Sequence, residues 1–568
     1  MSGANLLQYG IFLLVVALLV QPVGTYLALV FEGEKTLLDP LLRPVERWLL
    51  RLFGVDISEQ MDWKRYALCF VLFGLGGSLV LYGLLRLQSV LPGGPASYLT
   101  TPLTPDLASN TAISFATTTT WQAYGGETTM SYISQIVGLS AQNFLAGAAG
   151  LAVGIAFIRG LARQQSTELG NFWVDIVRAS LWVLLPLSLA GGLVLVWQGV
   201  PLNFDPYTAV TTLEGRQQVI AQGPVAALEF IKNLGTNGGG FFNVNAAHPY
   251  ENPTSLSNFL EMLAIVVLPA ALTCTFGRLI GRPREGWMLF GVMTVLFLLG
   301  LLACGWIEQA NNPQIAALAN ILPDGNLEGK EVRFGIGGSV LGAITTSNGA
   351  TGSYNSMHDS YLPLGGAVPL VNMLLGEIIY GGLGTGLYSL IVVQVVALFV
   401  ASLMVGIVPE YLGKRIGIVE IKLVALYIVL GPLAVLSLTA LAVSTAEGRA
   451  GLVTNSGFHG FSEILYAYSS SFANNGQNFA GLNANSPFYN LTTAIAMMLG
   501  RFGQGVIALA LAGQFAKQVR RPATSGSLPS ATPQFAGFLI AVILITGGLS
   551  YFPVLALGPI AEHVRLNW

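Results

Sequence analysis

Apolar residues along this 568-residue chain gather into long unbroken runs instead of alternating with polar ones. A bilayer core of about 30 Å takes about 20 residues of helix at about 1.5 Å each. Runs of that kind lie at 5–31, 65–88, 130–158, 172–198, 255–276, 287–307, 367–406, 421–445, 489–515 and 534–556. The first has no basic segment ahead of it and no small-residue cleavage site behind it, so it is expected to stay as a helix. The pattern predicts an all-α polytopic membrane protein with about ten transmembrane helices.

The run at 367–406 is twice the length that a membrane needs. Its middle reads Gly381-Gly382-Leu383-Gly384-Thr385-Gly386. Two full spans with a tight turn would fit, as would one helix broken at depth. A turn normally carries more polar residues than Thr385 alone, which favours the break. Unwound backbone is tolerated at membrane depth only where protein buries it or a wet cavity receives it.

Composition agrees with the pattern. Charged residues make up 10% of the chain and hydrophobic ones 53%, whereas soluble domains carry roughly a quarter charged residues. A soluble enzyme and a disordered chain are excluded. A net charge of -2 with no basic tract excludes a nucleic-acid binder. Cys69, Cys274 and Cys304 sit in or beside apolar runs and read as core residues. The four histidines are far apart in sequence and support no metal site.

The few cations sort by side. With ten spans, one set of alternate loops holds 18 Lys and Arg, the other holds seven, and Arg501 alone falls within a span. The richer set is expected to be cytoplasmic, with both termini outside. Two spans in 367–406 would spoil this asymmetry, which again favours the break.

Each of the four long outer segments, about 89–129, 199–254, 308–366 and 446–488, carries the same kind of passage. They read Thr117-Thr-Thr-Thr120-Trp-Gln122, Thr236-Asn237-Gly238-Gly239-Gly240, Ser347-Asn348-Gly349 and Asn474-Asn475-Gly476-Gln477. Each follows a short helical stretch and precedes a span. With Gln122, Gly238, Gly349 and Gly476 taken as equivalent, the intervals are 116, 111 and 127 residues, the spacing of an internal repeat. The expected units are pore repeats at 65–159, 172–276, 287–406 and 421–515. A first helix with a basic segment at 1–64 and a last helix at 534–568 flank them. Rings of backbone carbonyls can replace the hydration shell of a monovalent cation. Glycine reaches the conformations with φ > 0 that such a ring needs, and the 68 glycines exceed the ~7% of ordinary proteins. Four such loops around one axis predict a selectivity filter. The candidate ligands are Thr120, Gln122, Asn237, Gly238, Gly239, Asn348, Gly349, Asn475 and Gly476.

Several passages carry a closer likeness: W-Q-A-Y-G-G-E-T-T at 121–129, T-N-G-G-G-F-F-N at 236–243, S-M-H-D-S at 356–360 and L-G-R-F-G at 499–503. The chain resembles, over essentially its whole length, the potassium-binding subunit family (KdpA) of the bacterial Kdp potassium-transporting P-type ATPase, within the superfamily of K⁺ transporters. The resemblance implies K⁺ as the transported ion and filter positions at Gln122, Gly238, Gly349 and Gly476. It also implies a P-type ATPase catalytic subunit and small accessory membrane subunits as partners, in the bacterial inner membrane. Gln122 departs from four-fold glycine and matches the family's own asymmetry in repeat one.

Other residues stay with two readings. Glu127, Glu251 and Asp359 follow the filters and either concentrate cations at the outer mouth or pin their loops. Arg501 is either a cationic barrier below the filter or half of a buried ion pair, with Glu377 a partner by charge alone. Gly381, Gly382, Gly384 and Gly386 are the expected gate. Segment 35–65 reads as an amphipathic helix with Leu37, Leu38, Leu41, Leu42, Leu49, Leu50 and Phe53 on its apolar side. No Walker A and no D-K-T-G-T sequence occurs, so ATP chemistry must come from a partner chain. The alternative is a Trk/Ktr-type channel or symporter that works without an ATPase subunit. A membrane enzyme is disfavoured because no nucleophile–base pairing is visible.

Overall fold

The computed structural model describes residues 2–91, 99–313, 315, 325–522 and 528–566. Among them, ten helices are long and apolar enough to cross a bilayer. The chain is a multi-pass, all-α membrane protein. Strands are confined to three short antiparallel ribbons, the longest pairing Thr208–Thr211 with Gln217–Ile220.

In chain order the helices that position the site are α1 (Gly3–Glu32), α2 (Asp39–Leu52), α3 (Trp63–Leu87) and α4 (Pro105–Ala116). They continue with α5 (Ser134–Ala162), α6 (Phe172–Trp197), α7 (Val225–Leu234) and α8 (Ser255–Leu279). Next come α9 (Pro283–Glu308), α10 (Gly335–Asn348), α11 (Pro363–Leu374) and α12 (Thr385–Val405). The last four are α13 (Ile418–Ser444), α14 (Gly457–Ala473), α15 (Pro487–Lys517) and α16 (Pro533–Leu566). Ten alternating crossings put the chain segments that contain α4, α7, α10 and α14 on one side.

Local sequence explains where the helices start. The side chains of Asp62 and Thr532 accept the backbone N–H three residues on at the first turns of α3 and α16. Thr254 and Ser257 close a capping box at the start of α8. Gly33 ends α1 in the left-handed conformation that glycine adopts without penalty.

Burial separates inner from outer spans. The most apolar stretches of α5 and α8 are 83% and 78% buried, against 17% for α16. α1 packs along α8, and a Cβ on Gly24 would come within 2.5 Å of the Ala271 carbonyl oxygen. α16 lies against α9 and α12 at the periphery.

The run at 367–406 is interrupted. α11 ends at Leu374 and α12 begins at Thr385. Irregular chain joins them, with Gly376, Glu377, Tyr380 and Gly384 all at positive φ. The interruption therefore starts six residues ahead of the glycine run, and Gly386 already belongs to the resumed helix, its N–H reaching the Gly382 carbonyl at 3.0 Å.

The amphipathic segment folds as α2 but turns differently from its leucine pattern. Leu42 and Leu50 are buried, whereas Leu37, Leu41 and Phe53 are exposed. What fixes its roll is polar: Glu46 accepts from Arg178 Nε at 2.9 Å and from Trp182 Nε1 at 3.1 Å.

Candidate ion-selective site

Each of α4, α7, α10 and α14 is mostly buried and aims its C-terminal, negative dipole end at an irregular segment. Those segments share a backbone signature. Two left-handed residues occur at Thr118 and Thr120, Thr236 and Gly239, Ala350 and Gly352, and Asn474 and Gly476. A residue at φ > 0 between neighbours at φ < 0 redirects successive carbonyls, which is what an oxygen-lined passage requires.

The segments meet. A Cβ on Gly238 would lie 2.5 Å from Thr119 O, 2.4 Å from Asn475 O and 3.0 Å from Gly476 Cα. Gln122 Oε1 accepts from Gly240 N at 2.8 Å. Asn474 Nδ2 donates to Thr119 Oγ1 at 2.9 Å. Asn475 Nδ2 donates to Thr346 O at 3.0 Å, and Gln477 Nε2 to Gly352 O at 2.7 Å. Segments one, two and four thus touch through backbone carbonyls and glycine, while side-chain amides tie segment three to segment four.

This alignment differs from the one read off glycine. In repeat one the carbonyl beside Gly238 and Gly476 belongs to Thr119. Gln122 lies three residues further along, and its side chain braces segment two. In repeat three Asn348 is the last helical residue, with Nδ2 on Ile344 O at 2.9 Å, and Gly349 caps that helix against Ile265. The residues in line with Asn474–Gly476 are Ala350–Gly352. Thr120, Gly239 and Gly476 keep the signature positions, Asn475 lies between the two of segment four, and Asn237 reaches Asn143 O at 3.5 Å.

Threonine at positive φ is strained, and the neighbourhood overdetermines it. Thr120 N donates to Ser114 O at 3.0 Å, and the Thr117 and Thr119 hydroxyls pair at 2.8 Å. Glycine content does not signal these positions; the run of four threonines behind a helix is their only trace in sequence.

Buried oxygens without a protein partner gather around the segments: Asn143 Oδ1, Asn237 Oδ1, Thr345 Oγ1, Asn348 Oδ1, Ser470 Oγ and Ser471 Oγ. Such atoms are costly in a dry interior and suit a hydrated or dehydrated cation. An open cavity of ≈ 300 Å³ borders the loops and draws Gln122, Asn245, Ser353 and Gly476 from all four repeats.

The interrupted helix packs directly on the segments. Glu377 Oε1 accepts from Asn475 Nδ2 at 2.6 Å, and Leu383 N donates to Thr236 Oγ1 at 2.8 Å. The Cβ directions of Gly381 and Gly382 face Asn348 O at 3.2 Å and Ala350 Cβ at 3.5 Å. On its other side the interruption rests on α5, where a Cβ on Gly154 would lie 2.8 Å from Gly384 Cα. Arg501 sits there too, buried, with Nη2 on Ala146 O at 2.6 Å and its guanidinium 5.8 Å from the Phe70 ring. Among the described residues no carboxylate is in ion-pair range of Arg501, and Glu377 is engaged with Asn475. A second, smaller cavity of ≈ 90 Å³ lies beside Glu377 between α12, α13 and α16.

The three outer acids do different things. Glu251 is fully buried and accepts from Phe242 N at 3.1 Å and Ala246 N at 3.0 Å, so it pins segment two and does not face the mouth. Burial pushes its carboxyl up, against the lowering effect of Lys232 and those N–H bonds. Glu127 is half-buried, with its carboxyl raised by burial. Asp359 is engaged by His459 at 2.9 Å.

A family model described as the potassium-transporting ATPase A subunit (KdpA) matches residues 10–564. A protein of Rhodospirillum centenum named potassium-transporting ATPase potassium-binding subunit is 51% identical over 567 residues, covering 100% of this chain and 98% of its own. A relative of the same name from Methylobacterium nodulans is 53% identical over 97% of this chain and 95% of its own. One from Mesorhizobium japonicum is 50% identical over 99% and 98%.

Proposed function

The chain belongs to the KdpA family of potassium-transporting ATPase A subunits, and on that premise we propose that it binds K⁺ at the four converging segments and passes it to a partner ATPase subunit. The observation that carries this reading is the juxtaposition of Thr119 O and Asn475 O with Gly238 and Gly476. K⁺ sheds water at the loops, where carbonyls and threonine hydroxyls substitute for its hydration shell. The approach, lined by uncharged residues such as Gln122, Asn245 and Ser353, admits the ion without a fixed counter-charge that would hold it.

Below the loops, the interruption at 375–384 and Arg501 oppose straight passage to the cytoplasm. Arg501 repels a cation in a low-dielectric interior, and the unwound chain occupies the space under three of the four segments. The ion is diverted sideways along the cavity beside Glu377. The filter side is extracytoplasmic, in keeping with the loop charges, and the small accessory membrane subunits complete the assembly. ATP acts on the partner alone. The Trk/Ktr-type alternative lacks an ATPase partner, and the names of the relatives favour the ATPase reading.

Gly238→Asp in a strain without other potassium uptake tests the filter. Loss of growth at micromolar K⁺ is expected, because any side chain meets two backbone oxygens; unchanged growth overturns the assignment. Co-purification of a P-type ATPase chain with the tagged protein separates the two transport readings.

A further inference from the structure

Away from the filter and its barrier, the described residues hold one group of three side chains with the closeness of a metal-ligand set: Asp359, His459 and Glu463. Asp359 follows segment three, and His459 and Glu463 stand four residues apart on one face of α14. One ligand atom from each lies within 4.8 Å of the other two.

Glu463 is fully buried, and its Oε2 has no protein partner. Its Oε1 accepts from Asn455 Nδ2 at 2.9 Å, and the same amide is 3.5 Å from Asp359 Oδ2. One donor thus holds two carboxylates together, an arrangement that calls for positive charge. Glu562, near the end of α16, lies 2.7 Å from His459 Nδ1. Ligating histidines characteristically give their second N–H to a carboxylate, which fixes the tautomer and leaves the other nitrogen for the metal. Here that leaves Nε2, on the side of Asp359 at 2.9 Å. His459, Asp359 and Glu562 keep side-chain exposures of 17–19%, enough for an ion to enter from solvent.

We propose that Asp359, His459 Nε2 and Glu463 bind a divalent transition-metal cation with zinc-like ligand preference, with Glu562 orienting His459. One imidazole nitrogen and two carboxylates suit such an ion and leave a coordination position for water. The site joins the loop behind segment three, the pore helix of repeat four and the terminal helix α16. It is unrelated to K⁺, which a nitrogen ligand does not suit.

The test is calorimetric titration of the purified full-length protein in its complex with Zn²⁺, at fixed K⁺. One equivalent bound is expected, with a raised unfolding temperature. Glu463→Gln and Asp359→Asn, which preserve size, should each weaken binding by at least about tenfold. Absence of saturable binding in the wild type overturns the proposal, as does a loss below tenfold in both variants. If the variants fail to assemble, electron paramagnetic resonance of the Cu²⁺-loaded wild type decides. Coupling to one imidazole nitrogen supports the site, and none overturns it.

Discussion

Asn475, in the fourth filter segment, donates through Nδ2 to Glu377 Oε1 at 2.6 Å, and Glu377 stands at positive φ in the interrupted helix. One buried hydrogen bond therefore joins the segment proposed to select the ion to the interruption proposed to obstruct it. Glu377→Ala leaves one of the two Asn475 amide N–H groups unpaired, a loss of about 1–3 kcal/mol. The apparent K⁺ affinity should fall about thirtyfold, the free-energy equivalent of the middle of that range. Glu377→Gln keeps an acceptor and should lose less. The K⁺ dependence of ATPase activity in the reconstituted complex measures both; identical curves for wild type and Ala would remove the bond from the selection step.

Arg501 has only the Ala146 carbonyl as a hydrogen-bond acceptor and no counter-ion among the described residues. Its charge is thus available to repel cations. Arg501→Gln should raise passive Rb⁺ tracer flux through proteoliposomes, while Arg501→Lys should stay near the wild-type rate. Equal flux in all three proteins would leave the obstruction to the chain at 375–384 alone.

Gly154 and Gly384 touch across α5 and the interruption, 2.8 Å from a would-be Cβ to Cα. Gly154→Ala should destabilise the protein by about 1–3 kcal/mol, the usual cost of overpacking. Gly10→Ala, with nothing within 4 Å, serves as the control and should change stability by less than about 0.5 kcal/mol. Thermal unfolding in detergent reads both.

His358 gives a pH dependence of defined sign. Its Nδ1 is 2.7 Å from the Tyr466 hydroxyl, which donates to Gln477 Oε1 at 2.5 Å, and Gln477 in turn holds Gly352 O. Burial first, and the charge of Lys330 second, hold the imidazole down at about 3. Lys330, Tyr361 and Tyr466 are the titratable groups that face it. The fold favours neutral His358, so its contribution is present above the ordinary value of about 6.5. It is lost as pH falls from there toward 3. Unfolding temperature should therefore drop between about pH 7 and about pH 5, and His358→Gln should flatten the drop. A wild-type profile as flat as the variant's would contradict this.

How much was legible in sequence depended on periodicity and on glycine. Ten spans followed from apolar run length, and the position of the interruption from a run that was too long. Of the positive-φ positions in the four segments, glycine supplies Gly239, Gly352 and Gly476, and the others fall on Thr118, Thr120, Thr236, Ala350 and Asn474, which hydrogen bonds and packing hold there. Alignment by glycine and alignment by backbone conformation therefore differ by two to three residues in repeats one and three. The partnership of Glu377 with Asn475 crosses 98 residues, and no spacing rule foretells it. The same is true of the Asp359–His459–Glu562 contact, whose members looked unrelated because only folding brings them together.

The four segments come from one chain, and they are held differently. Segment two is pinned by Glu251, segment three by Gln477, and segment four by the interruption through Glu377. A homotetrameric pore changes all four walls with every substitution. Here a mutation alters a single wall, so under the proposed reading ion preference and coupling to the obstruction can be adjusted separately and in quarter steps.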